Sequence, residues 1–167
     1  MIKETIDAWK NFILGLYEML FVPHQEWKSK PERKPLVLRG ARQVGKTTLI
    51  RDFGKSYKQF LYLNLEKEAH RAYFENSDEV PQIVESLFLN FNLKSDFSNT
   101  LLFIDEIQES PRAIQLLRYF YEEVPELHVI SASSLLEFAM KEIHSFPVGR
   151  VTFMYLFPMN FPEFLAA

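Results

Sequence analysis

Gly40, Gly45, Lys46 and Thr47 fall inside "RGARQVGKTTLI", residues 39 to 50, and match the pattern G-x-x-x-x-G-K-[ST] without a mismatch. That spacing suits a phosphate cradle. The two glycines let the backbone turn sharply, so that successive amides from about Val44 to Thr48 aim at one anion. A helix starting near Lys46 would add the positive end of its dipole. The Lys46 ammonium would reach the β and γ phosphates, and the Thr47 hydroxyl would bind Mg²⁺. The expected nucleotide-binding set is Gly40, Arg42, Gln43, Val44, Gly45, Lys46, Thr47 and Thr48.

Holding Mg²⁺ takes a second, acidic group, and "LLFIDE" supplies Asp105 at the tip of an apolar run. Glu106, one residue further, would turn away from the metal and activate water for in-line attack on the γ phosphate. The bland alternative is an acidic pair that merely opens the next helix. A GTPase pattern is absent, because "EIQ" follows Asp105 where D-x-x-G would be required. "LKSD" at 93 to 96 has the wrong first residue for N-K-x-D. ATP or ADP is therefore the expected ligand.

Three further residues are candidates for the same chemistry. Ser133 and Ser134, in "SASS", would either detect the γ phosphate or cap the helix that follows. Arg150, after "FPVG", suits a finger inserted into a neighbouring subunit and a local salt bridge equally well. The catalytic set is thus Glu106, Lys46, Ser134 and Arg150, and the metal set Thr47 and Asp105. Asn64 and Glu66 end an expected strand and either approach the site or reflect edge polarity. His24, His70, His128 and His144 show no metal spacing.

These residues need a scaffold, and the patterning describes one. Short apolar runs at "PLVLRG", 60 to 66, 100 to 105, 127 to 132 and 150 to 157 alternate with helical patterns at "KTTLIRDFG", 67 to 75, 79 to 91, from Pro111 onward and at "SLLEFAMKEI". Such alternation argues for a mainly parallel five-stranded sheet covered on both faces, with ligands at the carboxyl ends of its strands. Residues 2 to 22 draw an amphipathic N-terminal helix, and "VPHQEWKSKPERKP" reads as a polar linker or loop. The expected division is a helix and linker over 1 to 30 and an ATPase core over 31 to 167.

The composition narrows the remaining choices. A chain of 167 residues can bury one core. Its net charge of −3 lacks the basic footprint of a dedicated nucleic-acid binder. Locally, Lys28, Lys30, Arg33, Lys34, Arg39, Arg42 and Lys46 cluster, as a solvated linker or a nucleic-acid contact. There are no cysteines, no signal-peptide pattern and no apolar run long enough to cross a bilayer, so a cytoplasmic protein with no membrane partner is expected.

Taken in order, "LVLRGARQVGKTTLI", "LLFIDEIQESPRAIQLLRYFYEE", "HVISASSLLEFAM" and "FPVGRVTFMYLFPMNFPEFL" resemble the bacterial and archaeal AAA-type ATPases known mainly as ATP-binding proteins. Some of those carry a nuclease-like C-terminal domain of uncharacterised role. The resemblance spans roughly 30 to 167. It implies a three-layer P-loop NTPase fold of the additional-strand glutamate type, with sheet order 5-1-4-3-2. It assigns Lys46 and Thr47 to phosphate and Mg²⁺, Asp105 and Glu106 to metal and water, and Ser134 to a small polar sensor. Arg150 matches the arginine of a "PVGR" motif. Two departures accompany it: Ser133 stands where Gly is usual, and the chain ends at Ala167, where such proteins continue into a helical lid and the C-terminal domain.

The function expected is Mg²⁺-dependent ATP binding and hydrolysis, impaired if the lid is missing. Its partners would be a second copy through Arg150 or nucleic acid through the missing domain. The alternative is a nucleotide-gated switch with negligible turnover. A degenerate scaffold that binds nothing is the third reading.

Overall fold

The computed structural model describes residues 26–77, 79–134 and 149–157. The expected helices at 2 to 22 and at "SLLEFAMKEI" lie outside them.

The chain winds through β1 (Leu36–Arg39), α1 (Lys46–Gly54), β2 (Gln59–Asn64), α2 (Glu68–Glu75), α3 (Val80–Asn90), β3 (Thr100–Asp105), α4 (Pro111–Glu123), β4 (His128–Ser133) and β5 (Thr152–Tyr155). All five strands pair in parallel in the order β2-β3-β4-β1-β5, the expected order counted from the opposite edge. Arg39, Asn64, Asp105, Ser133 and Tyr155 are the carboxyl ends that align along one rim.

Period-two alternation makes the two faces of this sheet. In β3, fully buried throughout, Leu102 and Ile104 join a core under α2, α3 and α4, with Phe74, Ile83, Leu117 and Phe120. Leu101 and Phe103 point the other way, into a second core with Ile50 and Phe53 of α1. Three layers result. Gly54 ends α1 with an ordinary φ, and its lack of a side chain serves packing instead, since a Cβ would collide with the Phe60 ring.

The linker-or-loop expectation fails at 26–29, while 30–34 form turn and coil. Residues 26–29 are helical and Trp27 is buried in the second core, its indole N–H donating to the Lys34 carbonyl at 2.7 Å. Prolines and lysines hid a ring whose burial outweighs its polar neighbours. The basic cluster is correspondingly not all solvated. Lys28 lies over the Tyr57 ring, Arg33 donates to the Lys28, Pro125 and Glu126 carbonyls, and Arg39 donates to the Tyr155 hydroxyl.

Candidate functional site

The phosphate loop and the acidic pair sit at the carboxyl rim. β1 ends at Arg39, the loop from Gly40 to Gly45 climbs over the edge, and α1 begins at Lys46. Gly45 has φ 94° with open space about it, so here the glycine supplies a left-handed turn. Gly40 serves differently. A Cβ there would run into the Leu156 carbonyl oxygen, so it lets the loop pass tightly against the end of β5. Gln43 also takes a positive φ, 64°, a strained choice for a side-chain-bearing residue in a loop that gathers amides.

Lys46 is buried, and its ammonium donates to the carbonyls of Gly40 at 2.8 Å and Ala41 at 2.6 Å. Burial pushes its pKa down, while Glu106 and Asp105 oppose that fall. The Thr47 hydroxyl donates to Asp105 Oδ2 at 2.8 Å, which brings together the two groups expected to share a metal. A second hydroxyl, from Tyr62 on β2, donates to the same oxygen at 3.1 Å. Burial raises the Asp105 pKa, and these two hydroxyls pull it back. Tyr62 was not anticipated; its position on the strand pairing with β3 was the available signal.

Glu106 departs from the strand. Its φ and ψ are 51° and 48°, left-handed for a residue with a side chain, so its carboxylate swings off the path of Asp105. A turn at Ile107–Glu109 follows, and Ser110 caps α4 by accepting from the Ala113 amide at 3.2 Å. The Glu106 Oε2 atom accepts from Gln108 Nε2 at 2.6 Å and from the Ser134 hydroxyl at 3.2 Å. Ser133 donates to Gln108 Oε1 at 2.7 Å. Both serines at the end of β4 thus reach the acidic corner, one directly and one through Gln108.

Not every candidate converges. Asn64 lies in register with Asp105, yet its side chain accepts from the Glu66 amide at 2.8 Å, closing a local turn. Arg150 precedes β5, on the amino side of the sheet, and pairs with Glu122 of α4 at 3.0 Å. Within this chain it is far along the strands from the phosphate loop and engaged in an ion pair.

Gln43, Gly45, Lys46, Thr47, Thr48 and Glu106 line a cavity of about 240 Å³. The residues present fit an Mg²⁺-nucleotide phosphate tail: a left-handed glycine at a helix start, a buried ammonium, and a hydroxyl–carboxylate pair. A larger cavity of about 500 Å³ lies between α3 and α4, but Glu85, Glu123 and Glu126 on its wall would repel an anion. Among the described residues there is no cluster of three or more His, Asp or Glu that could hold a metal ion. No described helix is long and apolar enough to cross a membrane.

A parallel sheet in this order, with a glycine-lysine-threonine loop after β1 and an acidic pair at the end of β3, defines the P-loop NTPase class. More particularly, residues 32–165 match the family described as AAA domain, and the chain belongs to that family. Nucleotide-binding ATPase activity is what that membership implies. No curated protein matches. Among solved structures, that of C. elegans PCH-2 is similar to this chain at 16% identity and a TM-score of 0.38, over 72% of this chain and 34% of that one. The chain thus spans about a third of its length.

Proposed function

We propose that the chain binds ATP with Mg²⁺ at the loop from Gly40 to Thr48 and hydrolyses it, with Glu106 activating the attacking water. The observation that supports this best is the shared cavity. Glu106 lines the same cavity as Lys46 and Thr47, while Asp105 lies next door against the Thr47 hydroxyl. A base and phosphate ligands around one cavity are what in-line attack requires.

In this reading the amides after Gly45 and the Lys46 ammonium hold the phosphates, exchanging contacts to Gly40 and Ala41 for contacts to oxygens of the ligand. Thr47 and Asp105 would hold Mg²⁺, which when bound neutralises charge on the β and γ oxygens. Glu106 takes a proton from water, and Ser134 stands beside it as the γ-phosphate contact.

Glu106→Gln tests this. Phosphate release should fall by about 10²–10⁴-fold with nucleotide affinity retained, since the amide cannot accept the proton. Turnover at the parent rate would remove Glu106 from its role. Stoichiometric bound ADP in purified protein, with no turnover under excess ATP, would instead make the chain a nucleotide-gated switch.

A further inference from the structure

Gln108 carries no role in the chemistry above, yet it makes the shortest contact to the proposed base. Its amide bridges two elements: Nε2 donates to Glu106 Oε2 at 2.6 Å, and Oε1 accepts from the Ser133 hydroxyl at 2.7 Å. The orientation is chemically forced. A carboxylate only accepts, so the NH₂ must face Glu106 and the carbonyl must face the serine. Ser133 is buried and its backbone belongs to β4, so the far end of the bridge is fixed to the sheet. The near end holds a residue whose own backbone is left-handed and whose side chain has one other hydrogen-bond partner among the described residues, Ser134.

We infer that Gln108 is a positioning residue for ATP hydrolysis: it ties Oε2 of Glu106 to the end of β4 and so turns Oε1 toward the attacking water. The inference rests on the reading of Glu106 as the base. Among the described residues, Oε1 takes no hydrogen bond from the protein, whereas Oε2 takes two, from Gln108 and Ser134. Ser134 is also the expected γ-phosphate contact. When it turns to the phosphate, Gln108 alone retains the carboxylate in place.

Two measurements on the full chain test the clamp. In the first, the side-chain NH₂ signals of Gln108, assigned by their loss in Gln108→Leu, are followed in a ¹⁵N correlation spectrum. In Glu106→Ala they should move toward the positions of solvent-exposed glutamine amides; signals that stay put would overturn the clamp, whether or not the chain turns over. In the second, Gln108→Leu should lower kcat by at least about tenfold while KM for ATP changes less than about twofold. Ser133→Ala, which loosens only the far end, should shift kcat the same way by less. Parent kcat in both Gln108→Leu and Ser133→Ala would also overturn it. Failure of the underlying reading looks different, because Glu106→Gln would then turn over ATP at the parent rate.

Discussion

His128 begins β4 on the side of the sheet away from the phosphate loop, and its environment predicts a specific acid weakness. The ring is buried against Trp27 and Tyr57, with Nδ1 2.6 Å from the Tyr57 hydroxyl. Burial also pushes the Tyr57 phenol well up, so it stays protonated beside the ring. Protonating the ring would create a buried cation beside Arg33 and Lys28. Burial first, then those two charges, lower the His128 pKa from 6.5 to about 3. The unfolded chain therefore binds one proton more than the folded chain between those values. Stability is whole above about pH 6.5, falls as pH drops toward 3, and is flat below. From the two pKa values, the loss attributable to His128 is about 2 kcal/mol on going from about pH 8 to about pH 5. Urea denaturation of the parent and of His128→Phe across that range measures it. The variant should start less stable, by about 1–3 kcal/mol for the orphaned Tyr57 hydroxyl, but should lose about 2 kcal/mol less on acidification. Parallel curves would refute the argument, because all other titratable groups are common to both proteins.

The site itself supports further predictions. Gly40→Ala should lower the melting temperature more than Gly45→Ala, since the first drives a methyl into the Leu156 carbonyl beside the Leu156 N–H bond to Arg39 and the second adds only backbone strain of about 1–2 kcal/mol. Gly45→Ala should nonetheless weaken nucleotide binding in a fluorescence titration, because its turn shapes the cradle. Tyr62→Phe should cost about 1.5–3 kcal/mol in urea denaturation by removing a donor from the buried Asp105 carboxylate. Arg150→Ala should cost under about 1 kcal/mol, its partner Glu122 being shared with Arg118 at the surface. Mixing it with Glu106→Gln protein should restore no activity; rescue would reveal self-association through an intersubunit site and overturn the local ion-pair reading.

How far the residues announced this arrangement depends on the range of the forces involved. β3 was legible to the residue because a strand buried on both faces must be apolar along its length, and "LLFI" between Thr100 and Asp105 is. The phosphate loop was legible because its glycines answer to backbone geometry within six residues. Ends of other strands drifted by one or two positions: β2 begins at Gln59 and β5 shortens to Thr152–Tyr155, leaving Arg150 in a turn. Contacts that form only when distant segments meet were hidden. Arg150 finds Glu122 across 28 residues, and Tyr62 reaches Asp105 across 43. Gln108 was hidden for a subtler reason, because side chains two apart face different ways on a helix, and the left-handed turn at Glu106 folds these two together. Trp27 misled because its flanking prolines and lysines described the solvent side of the segment and not the ring beneath it.

Isothermal titration calorimetry with ADP and Mg²⁺, run on the parent and on Lys46→Ala, tests the central claim most directly. The claim predicts saturable heat with about one nucleotide per chain in the parent, and an affinity weakened by at least about tenfold in Lys46→Ala, whose ammonium is the buried cation of the phosphate loop. Folded parent protein that gives no heat at about millimolar nucleotide, or binds it as tightly without Lys46, would contradict it.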